Sequence, residues 1–155
     1  MFRVNKFSMG MTAAIMTSMA LIAGLAQGEN SSVGIIAGLF IIAVADNISD
    51  SFSIHMYFES EGASREAVRT STFGNFAARF VLVLTFALIV YLFPPSLAFI
   101  FASLWGLILL TALSYRIAAH RKKNPLSHTA WHVFVAVAII ACSKILGGFI
   151  LRFAS

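Results

Sequence analysis

The chain has 155 residues, 59% of them hydrophobic and only 11% charged, with a net charge of +5, whereas an average protein is about 25% charged. That balance excludes an ordinary soluble domain, and the basic residues, set in short stretches beside apolar runs, are not a nucleic-acid surface. A single cysteine, Cys142, excludes an internal disulfide and any multi-cysteine metal site.

Residues 1–7 carry Arg3 and Lys6, and residues 8–26 form the first predicted span, rich in Met, Ala, Ser and Thr. Its basic start, apolar run and small residues Gly24 and Ala26 have the outline of a signal peptide. It is long for one and is interrupted by Thr12, Thr17 and Ser18, so a retained helix is expected, its small residues suited to close helix packing. A polar loop with Glu29 leads to the second span, 34–58. A hydrophilic loop over 59–72 then sets Glu59, Glu61 and Glu66 beside Arg65 and Arg69. The third span, 73–93, has Asn75 and Arg79 in its first turns and ends at Pro94-Pro95, because proline lacks an amide donor and restricts the residue before it. The fourth, 95–115, follows a tight turn. A basic loop with Arg116, Arg121, Lys122 and Lys123 leads to Ser127, a predicted N-cap for the last span, 128–153.

The expected fold is all-α: a polytopic membrane protein, one domain over residues 1–155 with five transmembrane helices, since roughly 20 apolar residues cross a bilayer. Arg3, Lys6, Arg65, Arg69, Arg116, Arg121, Lys122 and Lys123 fall on one side and Arg152 on the other. This bias places the N-terminus in the cytoplasm and the C-terminus outside, with a cell inner or plasma membrane as the expected location.

The second span organises the chain. Its first half is apolar, and its second half carries Asp46, Asn47, Ser49, Asp50, Ser51, Ser53 and His55. A mid-helix Asp costs about 2.5–3.5 kcal/mol on insertion, and each large apolar residue returns only about 0.3–0.6. The acids therefore need a partner, an ion or water. Asp46 and Asp50, four apart, share one helix face flanked by Ser49 and Ser53. Buried carboxylates and hydroxyls replace the water of a divalent cation, with Asn47 as a further ligand; His55 points to roughly the opposite side, and adding it or Met56 would favour iron, manganese or zinc. Carboxylates in a membrane also carry protons.

A plainer reading is open. Arg79 and Lys144 lie inside spans too, Lys144 about level with Asp46 or slightly outward of it and Arg79 closer to the level of Asp50, so acids and bases are expected either to neutralise each other as structural pairs or to relay protons. Arg79 can also snorkel to the inner interface. Glu59 and Glu61 are candidates for a cytoplasmic mouth or belong to a solvated loop. His128 and His132, four apart around Trp131, read as interfacial anchoring, with a two-histidine metal site as the alternative. The six methionines read as packing residues, or as soft contacts along a pathway.

The first span (GMTAAIMTSMALIAGL), the centre of the second (VADNISDSFSIHMYFESE) and the five-span count resemble the vacuolar iron transporter family, most specifically over residues 10–62. The resemblance implies a dimer of five-helix subunits that exchanges divalent iron or manganese for protons. The first two helices would line the ion path at the dimer interface. This chain departs from the family pattern: its first helix has no acid, Asp50 stands at a methionine position, and Ile54-His55 stands where Glu-Tyr would fall. The family's long glutamate-rich cytoplasmic helices shrink to residues 59–72. By analogy, Ser49 and Asp50 fall on the path.

The function expected is proton-coupled transport of a divalent metal cation, with no enzyme activity and no cofactor beyond the transported ion. The expected partners are the lipid bilayer and a second copy of the chain. The alternatives are a non-transporting scaffold with structural ion pairs, and a Mg-dependent lipid-active enzyme using the Asp-x-x-x-Asp pair, for which a second intramembrane acidic motif is lacking.

Overall fold

The structure, a computed structural model, describes residues 8–27, 31–121 and 124–154. Arg3, Lys6, Glu29, Lys122 and Lys123, used in the sequence reading, lie outside the described residues. The elements are α1 (Ser8–Leu25), α2 (Ser31–Ile41), a π-helical turn (Ile42–Asp46), α3 (Asn47–Ser60), α4 (Arg65–Leu92), α5 (Pro95–His120) and α6 (Pro125–Ala154). α2, the π turn and α3 run on without a break as one rod. Among the described residues this rod, α4, α5 and α6 are each long and apolar enough to cross a membrane, and α1 adds a shorter apolar helix. The chain is a multi-pass, all-helical integral membrane protein, because helices satisfy every backbone group internally where lipid offers no hydrogen bonds.

Several helices outrun their predicted spans. The expected loop over 59–72 is mostly helix: α3 continues to Ser60 and α4 begins at Arg65. The turn between them uses Gly62 at φ 67°, a left-handed conformation that glycine adopts without a Cβ penalty. Ser64 caps α4 by accepting from the Ala67 amide at 3.3 Å, and Glu66 in the first turn suits the positive end of the helix dipole. Charge ended the hydrophobic pattern there without ending the helix. At the last span the cap is Asn124, not Ser127. Its Oδ1 accepts from the amides of Leu126 (3.1 Å) and Ser127 (3.4 Å), and Pro125 supplies a first helical position that needs no donor. The Pro94-Pro95 turn forms as expected, with Phe93 extended at φ −124° and ψ 148° before the first proline.

α1 occupies the middle of the bundle, packed against α2, α4, α5 and α6. Ala14, Ile15, Ser18, Met19 and Ile22 are all buried, so the helix read as a retained span forms the centre of the core. Close approaches fix its neighbours. Gly147 on α6 rests against the α1 backbone at Gly24, and Gly106 on α5 makes room for Met19. Such contacts matter in lipid, where association depends on packing and not on a hydrophobic drive. α6 packs on α1 and α5 and leaves most of its surface exposed.

Two stripes position the polar residues. α4 buries Val68 near its start, then Ser71, Asn75 and Arg79 up to its middle, and Val83, Phe86, Ala87 and Val90 beyond, so from Ser71 onward one face changes from polar to apolar. The α2–α3 rod buries Ile35, Leu39, Ala43, Asn47 and Ser51, every fourth residue. On a regular α-helix that spacing drifts by roughly 40° per step. The wider π turn takes back part of the drift, which keeps Asn47 and Ser51 turned to α4 and leaves Asp46 and Asp50 at the edge of the contact.

Candidate functional site

Arg79 brings the two aspartates together. Its Nη2 donates to Asp46 Oδ2 at 2.6 Å, and its Nη1 forms an ion pair with Asp50 Oδ2 that lies off the hydrogen-bond line. The arginine is 2% exposed, whereas the Asp46 and Asp50 side chains are 50% and 38% exposed. The cation is thus desolvated inside the bundle and the anions open onto its surface. Arg79 lies thirteen residues before the Leu92 end of α4. At 1.5 Å per residue that is about 20 Å, past the middle of a roughly 30 Å hydrocarbon layer.

Asn75, one turn before Arg79, tightens the cluster. Its Nδ2 lies 3.3 Å from both Asp50 Oδ2 and Ser51 Oγ. Ser51 Oγ reaches Asn47 Oδ1 at 3.5 Å. Asn47 Nδ2 donates to the Phe76 carbonyl at 2.9 Å and to the Ala43 carbonyl at 3.3 Å. The Asn75 amide is oriented by its neighbours: nitrogen toward the carboxylate, oxygen toward α1. There Gly10 makes space, since a Cβ on Gly10 would strike Asn75 Oδ1 and touch Arg79 Cδ.

Of the remaining residues of the predicted site, only Asn47 joins the network, through Ser51. Asn47 is buried and bonded toward α4, away from the open edge. Ser49 Oγ donates to the Ala45 carbonyl at 3.1 Å and Ser53 Oγ to the Ser49 carbonyl at 3.0 Å, so each hydroxyl is turned back on its own helix. Glu59 and Glu61 are exposed at the end of α3, with Glu59 Oε2 3.8 Å from His55 Nε2. Lys144 meets neither aspartate. Its Nζ lies 4.9 Å from the centre of the Phe99 ring, and its carbonyl accepts from Gln27 Nε2 at 2.6 Å. Because Gly147 abuts Gly24 while Asn75 and Arg79 abut Gly10, Lys144 stands about 15 Å along the bundle from the acids at 1.5 Å per residue. The expected level match between Lys144 and Asp46 is therefore corrected. The Gly147–Gly24 contact offsets α6 against α1 and carries Lys144 farther from the acids than its depth in the predicted span implied.

Sequence reasoning did not place Asn75, Ser51 or Gly10 in the site. Ser71, Asn75 and Arg79, four apart from the end of the predicted loop into the third span, were a readable polar face once the helix is extended to Ser71. Gly10 left no such signal. Elsewhere, His128 and His132 pack with their rings tilted by 60° and centres 4.4 Å apart, His132 Nδ1 is paired with Ser114 Oγ, and Trp131 stacks on Phe134 at 5.8 Å. Met11, Met16 and Met19 pack in or against the core.

Among the described residues no three His, Cys, Asp or Glu side chains come together. The cluster therefore holds two carboxylates, Asp46 and Asp50. Hard divalent cations take six or more oxygen ligands, and water or a second copy would supply the rest. On the other side of the α3–α4 contact, a groove of about 400 Å³ is walled by Ile48, Ser51, Phe52, His55, Phe73 and Phe76, and neither aspartate lines it. Comparison with known protein families, curated proteins and solved structures finds no match for the chain.

Proposed function

We propose that the chain is a proton-coupled transporter of divalent metal cations of the iron or manganese type. It works as a homodimer in the manner of the vacuolar iron transporters it resembles, with its N-terminus in the cytoplasm. The observation that carries this reading is the pair of half-open carboxylates, Asp46 and Asp50, at membrane depth on the outer edge of the bundle. Lipid solvates an ionised carboxylate poorly, and intramembrane acids of this kind mark ion and proton pathways. On another side of the same α2–α3 rod, Ile41, Val44, Ile48, Phe52 and Met56 are exposed, an apolar stripe that suits a second copy. Two carboxylates against one guanidinium leave one negative charge per protomer. Two copies then match one divalent cation or two protons.

The test is metal flux into proteoliposomes under an imposed proton gradient, comparing Fe²⁺, Mn²⁺, Co²⁺ and Zn²⁺ with Asp50→Asn alongside. Proton-dependent uptake that is lost in the variant is expected. No flux of any of the four metals from folded protein overturns the reading. The scaffold reading is favoured by one specific contact, the enclosure of Arg79 by both acids. It expects charge-neutral replacement of all three residues to preserve the fold, with no flux in any form of the protein.

A further inference from the structure

Among the described residues the Lys144 ammonium meets no carboxylate; the ion pairs there are made by Arg79 and His55. What it meets is the face of the Phe99 ring, with Nζ 4.9 Å from the ring centre, a weaker partner than an anion. The side chain borders a cavity of about 320 Å³ between α1, α5 and α6, which Ala23, Gln27, Ser96, Phe99 and Ile100 also line. Gln27 is fixed there by α6: its Nε2 donates to the Lys144 carbonyl at 2.6 Å, and its carboxamide rests against Gly148. Ser96 brings a hydroxyl in the first turn of α5, whose N-terminus no side chain caps, and that end of a helix attracts negative charge. The cavity thus gathers an ammonium, a hydroxyl and a helix N-terminus, with no acid in its lining.

The surroundings are hydrocarbon. Ala23, Phe99 and Ile100 are apolar walls, and from Ile145 to Leu151 the exposed residues of α6 are all apolar. A cation set between helices in such surroundings fits an anion that itself carries hydrocarbon chains. We propose that the cavity binds an anionic phospholipid, with the phosphodiester on Lys144 and Ser96 and the acyl chains along Ile100 and the apolar surface of α6. The site lies apart from Asp46 and Asp50, so it stands whether or not the chain moves ions.

The experiment adds phosphatidylglycerol, phosphatidylcholine or glycerol 3-phosphate to the purified full chain in detergent and counts bound molecules by native mass spectrometry. Wild type is compared with Lys144→Gln, Lys144→Arg, Ser96→Ala and Glu29→Gln. Wild type is expected to hold phosphatidylglycerol at least about fivefold more tightly than phosphatidylcholine, the effect of one basic group on an anionic headgroup. Lys144→Gln is expected to abolish that preference and Lys144→Arg to keep it, while Ser96→Ala weakens it. Lys144 is exposed on the protomer, so its replacement spares the core. No preference in wild type overturns the proposal. An equal preference in Lys144→Gln overturns it as well, by moving the lipid to the basic ends of the helices. Glycerol 3-phosphate bound as tightly as phosphatidylglycerol makes the ligand a free phosphate and overturns the lipid assignment. A preference seen only in Glu29→Gln makes Glu29, two residues after Gln27 in the chain, the counter-ion of Lys144, and that too overturns the proposal.

Discussion

Arg79 Nη2 lies 2.6 Å from Asp46 Oδ2, yet the arginine is 2% exposed and the aspartate 50%. The two partners of one ion pair therefore sit in different surroundings. The guanidinium depends on the acids far more than either acid depends on it, because an acid at the open edge can turn to water, an ion or a second copy of the chain.

That asymmetry makes the acids non-additive. Asp46→Asn and Asp50→Asn each leave Arg79 one carboxylate and are expected to cost about 1–2 kcal/mol. The double variant leaves a buried cation unpaired and is expected to cost more than the two single losses together, about 3–5 kcal/mol. Adding Arg79→Leu should restore much of the stability. Denaturant unfolding in detergent measures all of these, and a double variant as stable as wild type would remove Arg79 as the anchor of the cluster.

Gly10→Ala puts a methyl group against Asn75 Oδ1, on a side chain held by Asp50 and Ser51. A loss of about 1–3 kcal/mol is expected, the usual cost of overpacking a filled site. Thermal unfolding reads it, and an unchanged midpoint would show that the asparagine has room to retreat.

Gly147→Ala meets the backbone carbonyl of Gly24, which no rotamer change can move away, whereas Gly34 has nothing within 4 Å of an added Cβ. The first substitution should separate α6 from α1 and lower stability by more than about 2 kcal/mol. Gly34→Ala, inside α2, should be neutral or stabilising by up to about 1 kcal/mol. Equal behaviour of the two would contradict the α1–α6 contact.

If the α2–α3 face is covered by a second copy, Ile48→Cys in a Cys142→Ser background should cross-link in native membranes, while Ile145→Cys on α6 should not. Both positions are exposed in the protomer, at 55% and 71%, so exposure alone predicts no difference between them. Cross-linking at Ile145 but not Ile48 would move the interface to α6.

The membrane class and the spans were legible in the sequence because long apolar runs have few outlets. The polar ends of the helices were not. Residues 65–72 read as loop because hydropathy reports where lipid ends, while the helix ends where capping stops it, at Ser64. Asp46 and Asp50 were visible as anomalies on an apolar background, and their common face followed from a spacing of four. Lys144 and Arg79 looked equivalent, since both are single bases inside spans. The offset of α6 against α1 separates them: one lies over Phe99 and the other between the acids.

By itself the sequence determined an all-helical bundle for the bilayer, with two aspartates set in the second half of one apolar span. In lipid, a backbone with no water to bond must coil on itself, and composition alone reveals where that happens. Only the tertiary structure decided which cation meets those acids, over a separation of 33 residues in the chain. That choice depends on a π turn resetting one helix face and on Gly10 admitting Asn75 and Arg79, and neither the rotation of a helix nor the gap beside a glycine is written in the pattern of apolar and polar residues.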